Sequence, residues 1–211
     1  MADFAKLYDA VVEGDAPATL ALTKQALAEG MSPEELVAKY MIPAMDEVGK
    51  RFEAEDYFVP ELLLSGRAMK GALEVLRPLL AASGAKPAGK VVIGTVKGDL
   101  HDIGKNLVAA MLEGAGFEVT DLGTDVSPEK FVEAVNSKNA NIVCLSALLT
   151  VTMPAMKTTL EALRSAGVRD KVKVMIGGAP VTDQYCREIG ADSYSENASA
   201  AVASARSLVG V

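Results

Sequence analysis

Beyond residue 90, short apolar runs rich in β-branched residues alternate with helical segments, a pattern that few folds accept. Residues 91–96 (VVIGTV), 117–122 (FEVTDL), 142–148 (IVCLSAL) and 172–176 (VKVMI) read as buried strands, and 192–195 as a short fifth. Helical segments lie between and after them at 104–113, 128–138, 153–166, 182–189 and 197–208. Ser127-Pro128 opens one of these helices, and Gly167 and Gly190 stand where two others should stop. Strand and helix in strict alternation predict a parallel sheet with both faces covered. The expected class is α/β: a five-stranded, doubly wound, flavodoxin-like domain.

Residues 1–82 have a different period. Phe4, Leu7, Tyr8, Val11 and Val12 share one helical face, and Leu20, Thr23 and Leu27 form a weaker stripe. Ser32-Pro33-Glu34-Glu35 has the spacing of a capping box with proline in the first turn. Leu36, Tyr40, Ala44, Val48 and Phe52 then recur every four residues, with Pro43 expected to break or kink that stretch. A further helix should open at Pro60-Glu61 and carry Leu62, Met69, Leu73, Leu76 and Leu80. Four or five short amphipathic helices make a small bundle. The small and helix-breaking residues at 83–89 read as a linker. The expected organisation is therefore a helical domain at 1–82, a linker at 83–89 and an α/β domain at 90–211.

Charge and composition remove several function classes. A net charge of −7 and a pI of about 4.9 disfavour phosphate backbones and anionic membrane surfaces, so neither nucleic acid nor membrane is an expected partner. No run approaches the roughly 18 apolar residues of a membrane span, and the amino terminus lacks a basic, then apolar, leader. Cys144 and Cys186 are the only cysteines, which fits reduced, cytoplasmic usage and buried structural thiols. The nine methionines read as core filler, and Glu53, Glu55 and Asp56 as a solvated face. With one histidine in the chain, multi-histidine metal sites are excluded.

Topology points to that one histidine. Open parallel sheets bind ligands beyond the carboxyl ends of their strands, where strand order reverses. For the order 2-1-3-4-5, the crevice lies between strands one and three. There the loop at 97–104 (KGDLHDIG) should meet the loop at 146–152 (SALLTVT), with Gly177-Gly178 beside them. Asp99 and His101 are two residues apart, and a metal-binding histidine usually donates its second ring N–H to a carboxylate. Gly104 would let a large ligand approach the backbone. The plainer alternative is that Asp99 caps the following helix and His101 is an exposed first-turn residue.

Gly98-Asp99-Leu100-His101-Asp102-Ile103-Gly104-Lys105-Asn106, then Ser146-Ala147-Leu148-Leu149-Thr150 and Gly177-Gly178, resemble the Asp-x-His-x-x-Gly, Ser-x-Leu and Gly-Gly elements of cobalamin-binding proteins. The stretch from Phe52 to Leu62 resembles the end of the helical cap domain of corrinoid methyl-transfer proteins. The whole chain is thus similar to the corrinoid proteins of methanol, methylamine and O-demethylase systems, and to the cobalamin module of methionine synthase.

The resemblance implies a cobalamin bound base-off, with His101 as lower axial ligand to cobalt and Asp99 as its hydrogen-bonding partner. Thr152 falls where relatives often have the serine of that relay. Asp102, Gly104, Ser146, Leu148, Thr150, Gly177 and Gly178 match cofactor-binding positions, several lining the channel for the displaced nucleotide tail. Phe58 is the candidate for covering the upper, methyl-bearing face.

The function so implied is a non-catalytic methyl shuttle. A substrate:corrinoid methyltransferase would load it, a second methyltransferase would pass the methyl to tetrahydrofolate or coenzyme M, and a reductive activator would service the cobalt. Two other readings are the small subunit of an adenosylcobalamin mutase, which lacks the helical half, and a cobalamin-dependent sensor, which adds a DNA-binding domain.

Overall fold

The computed structural model describes residues 5–84 and 86–211, so the expected role of Phe4 lies outside the described residues. The chain divides into two units, Met1–Pro87 with Glu113–Gly116, and Ala88–Leu112 with Phe117–Val211. Among the described residues, no helix is long and apolar enough to cross a membrane.

The first unit is helical: α1 (Ala5–Val12), α2 (Ala16–Ala28), α3 (Pro33–Leu36), a π-helical turn (Val37–Met41), α4 (Ile42–Glu53) and α5 (Val59–Ser83). Leu7, Val11 and Val12 of α1 are buried with Leu36, Met45, Val48, Leu62, Met69 and Leu76. The stripe on α2 differs from the sequence expectation. Thr19, Thr23 and Ala26 are its buried residues, while Leu20 and Leu27 are half-buried. Each threonine hydroxyl donates to the carbonyl four residues back, so the polar atoms are satisfied inside the helix.

Three local expectations need correction or refinement. Pro43, expected to break or kink its stretch, does not end the helical run from Pro33 to Glu53 but coincides with a local distortion of it. The turn before it widens to π geometry, with the Ile42 N–H bonding to the Val37 carbonyl, which accommodates a residue that lacks its own N–H. The capping box at Ser32 is only half built: its hydroxyl accepts from the Glu35 N–H, but the Glu35 carboxylate pairs with Lys39 instead. The last helix is long rather than short, 25 residues, and it carries Pro78 inside. It closes on Gly84, whose left-handed backbone (φ +78°) suits glycine.

The second unit is α/β: β1 (Lys90–Thr95), α6 (Ile103–Gly114), β2 (Glu118–Asp121), α7 (Pro128–Lys138), β3 (Ile142–Ser146), α8 (Pro154–Ser165), a 3-10 turn (Arg169–Lys171), β4 (Lys173–Gly177), α9 (Asp183–Ile189), β5 (Ser193–Tyr194) and α10 (Ala198–Val209). The five strands are parallel, in the expected order β2-β1-β3-β4-β5. Register aligns Thr95 with Ser146 and Ser146 with Gly177, so the carboxyl ends of the three central strands finish level.

Alternation along the strands explains the two covered faces. Val92, Val143, Leu145, Val174 and Ile176 pack with Phe131 and Val135 of α7, Met156, Leu160 and Leu163 of α8, and Cys186 and Ile189 of α9. Val91, Ile93, Cys144 and Met175, which alternate with them, are equally buried. Phe131 is the keystone of the first face. It is fully buried, and Gly94 makes room for it, since a Cβ there would sit 2.8 Å from the ring. Replacing Phe131 with alanine should therefore cost about 3–5 kcal/mol, read as a lowered urea midpoint with an unchanged far-UV dichroism spectrum before the transition.

Candidate functional site

The loop between β1 and α6 is organised around one carboxylate. Asp99 is fully buried, and its two oxygens accept five hydrogen bonds. Oδ1 takes the backbone N–H of His101 (3.1 Å) and its ring Nδ1 (2.8 Å). Oδ2 takes the Thr152 hydroxyl (2.6 Å) and the N–H groups of Leu148 (2.8 Å) and Leu149 (3.3 Å). The Thr152 hydroxyl also lies 2.8 Å from the Leu149 carbonyl, but it has one proton, and the charged acceptor at the shorter distance takes it. Asp99 thereby joins the loops after β1 and β3.

Burial alone would raise the Asp99 carboxyl. The hydrogen bonds from Thr152, from the His101 ring and backbone and from Leu148 outweigh it and hold the group well below the usual carboxylate range. An ionised Asp99 makes Nδ1 of His101 the protonated nitrogen of the neutral ring. Nε2 then carries the lone pair, and it has no hydrogen-bond partner among the described residues. The His101 side chain is 49% exposed against 0% for Asp99. One nitrogen is fixed inside and the other is offered outside. The alternative in which Asp99 caps the next helix is not what forms: the Asp102 carbonyl takes the first helical bond, from Asn106.

The surroundings of His101 are apolar and open. Leu100, Ile103, Leu148, Leu149 and Val151 are 42–81% exposed, a concentration of large apolar side chains in just the two loops that Asp99 joins. Such a cluster needs a cover. Gly104 lies in the first turn of α6, where a Cβ would meet nothing within 4 Å. No protein contact requires glycine there, and glycine costs a helix stability. Open space over Gly104, an apolar platform and one outward imidazole nitrogen fit a large, flat, metal-centred ligand. Among the described residues no group of three or more His, Cys, Asp or Glu could hold a metal ion.

The remaining sequence-selected residues fall into three sets. Ser146, Gly177 and Gly178 lie at the carboxyl end of the sheet, aligned by register. Gly178 (φ +131°) is obligatory, because a Cβ there would lie 1.9 Å from the Ala147 carbonyl oxygen. Asp102 and Thr150 are exposed in the same two loops, with the Asp102 carboxylate accepting from the Asn106 amide. Phe58 belongs to the helical unit, where it precedes α5 and is 63% exposed rather than packed in a core. Thr152 tolerates its methyl, which points toward Gly98 at ordinary contact distance from a Cβ placed there.

Sequence reasoning missed a second tier. Thr95, the last residue of β1, donates its hydroxyl to the His101 carbonyl at 2.8 Å. Lys105 is buried in α6, where its ammonium bonds Asp121 and Asn106. Asp125 in the loop after β2 accepts from the Gly98 N–H and pairs with Lys97. A hydroxyl closing an otherwise apolar strand was a readable signal for Thr95, but Asp125 had none. Cys144 and Cys186 are both buried, and burial pushes the Cys144 thiol up to about 12.

Comparison with known proteins places both halves of the chain in B12-binding families. The B12 binding domain family matches residues 89–203, and a second B12 binding domain family matches residues 4–77. The dimethylamine corrinoid protein of Methanosarcina barkeri is 43% identical over 97% of this chain and 96% of its own. Among solved structures, a cobalamin-binding protein from Desulfitobacterium hafniense DCB-2 has a TM-score of 0.79 at 36% identity, covering 99% of each chain. The methanol:cobalamin methyltransferase complex MtaBC of Methanosarcina barkeri gives 0.85 at 30% identity, over 97% of this chain and 78% of that one.

The depressed Asp99 carboxyl makes a signed prediction. Its folded value lies below the unfolded one of about 4, so its stabilisation is complete above that pH and is lost as pH falls beneath it. Urea denaturation at pH 7 and pH 3 should therefore show the native chain losing more stability on acidification than an Asp99→Asn variant does.

Proposed function

We propose, since this chain belongs to the corrinoid proteins of methylamine and methanol methyltransferase systems, that it binds a base-off corrinoid through His101 and carries a methyl group between two partner enzymes. When bound, the corrinoid supplies a cobalt that can take up and give up a methyl group. The observation that carries the reading is a half-exposed imidazole whose Nδ1 is held 2.8 Å from the buried Asp99 carboxylate.

In this reading His101 is the lower axial ligand. Asp99 fixes its orientation, and Thr152 steadies the far side of the carboxylate. Leu148 offers an apolar surface to the ring system, as its exposed neighbours Leu100, Leu149 and Val151 do. The open backbone at Gly104, with Ser146, Thr150, Gly177 and Gly178, makes room for the displaced nucleotide tail, and Asp102 borders the same loop. The helical half, residues 1–82, would be the cap domain, with Phe58 the candidate for covering the methyl-bearing face. One partner is a substrate:corrinoid methyltransferase that selects the methyl donor. The other transfers the methyl to tetrahydrofolate or coenzyme M, and a reductive activator restores cobalt that has been oxidised.

The test uses the full chain, reconstituted with cobalamin and reduced to the cobalt(II) state. Its electron spin resonance spectrum should carry nitrogen splitting from a protein imidazole, which changes on ¹⁵N-histidine labelling and disappears in His101→Ala. A spectrum that ignores both changes would exclude His101 as the ligand.

A further inference from the structure

We infer that Thr95 is a positioning residue for His101: its buried hydroxyl holds the main chain of the histidine so that the ring is presented outward at a fixed height. The inference rests on the reading of His101 as a metal ligand and adds a residue that the sequence motif does not include.

His101 is half exposed, yet it is held at three points. Asp99 binds its backbone N–H and its ring, and Thr95 binds its carbonyl. Both holding side chains are fully buried. The buried carboxylate and hydroxyl gain partners from these bonds, and the same bonds leave a half-exposed residue with both its main chain and its ring fixed. A ligand for something outside the chain needs such fixing, since coordination tolerates little angular or radial error.

Thr95 is also an unusually fixed anchor. Its N–H donates to the Gly123 carbonyl and its own carbonyl accepts from the Val126 N–H, each at 3.0 Å. The Gly123 N–H in turn bonds the Asp121 carboxylate, which pairs with buried Lys105 in the first turn of α6. The threonine is thus tied through the end of β2 to the helix that follows the histidine. The two Asp99 bonds alone leave the peptide between His101 and Asp102 free to rotate, and the Thr95 hydroxyl removes that freedom.

Valine has the shape of threonine without the hydroxyl, so Thr95→Val is the direct test, with Thr95→Ser as the rescue. The chain has a single histidine, so an untagged, ¹⁵N-histidine-labelled protein reports one imidazole. In the unloaded protein, Thr95→Val should broaden or shift the ring nitrogen signals away from the Nδ1-protonated form, and Thr95→Ser should restore them. After loading with cobalamin and reduction, Thr95→Val should lower the share of cobalt(II) that shows imidazole splitting and weaken cobalamin binding roughly 10-fold.

If Thr95→Val does not fold, Thr95→Ala lacks the same hydroxyl and carries the same expectation. A Thr95 variant that melts earlier but keeps native ring signals, splitting and affinity marks the residue as ordinary core and overturns the inference. If that happens while His101→Ala still loses the splitting, only the role of Thr95 falls. If His101→Ala keeps the splitting, the ligand assignment falls and this inference with it.

Discussion

Everything at the carboxyl end of the sheet depends on one buried negative charge. Asp99 can stay ionised without access to water because five donors converge on it, two from its own loop and three from the loop after β3. Removing any one donor leaves the charge less compensated, so the two loops are coupled through it. The Leu148 and Leu149 amides that serve Asp99 also set where their exposed side chains begin. A polar interaction thus fixes the shape of an apolar surface.

That coupling explains why so much of the site could be read from sequence, and where the reading stopped. Parallel strands buried on both faces must be nearly continuous apolar runs, so residues 91–96 and 142–148 announced themselves, and their alternation with helices implied a parallel sheet. The need for glycine at Gly178 was legible only through resemblance, because the carbonyl that a side chain there would meet belongs to Ala147, in the loop after another strand. Asp99 and His101 were visible because they lie two residues apart in one loop. Thr152 was visible only through resemblance, since 53 residues separate it from the carboxylate it touches.

What stayed hidden was non-local or depended on backbone detail. Asp125 braces Gly98 from a loop whose residue types announce nothing. Lys105 looks like a surface helix residue until Asp121, the last residue of β2, turns out to be its partner. Pro43 followed a correct local rule, but the distortion it brought was a single widened turn that absorbed the missing N–H and let the helical run continue. Glu35 had two suitors at helical spacing, the Ser32 backbone and Lys39, and pattern reasoning has no means of ranking them.

The two cysteines have a consequence for metal selectivity. Burial keeps the Cys144 thiol protonated at neutral pH, and both sulfurs lie inside the fold. Soft thiophilic ions such as copper(I) or cadmium therefore find no thiolate to compete for them. Among the described residues no cluster of three or more His, Cys, Asp or Glu offers a bare ion a chelating site. A metal that arrives already wrapped in its own macrocycle asks far less of a protein, because the ring supplies most of its donors.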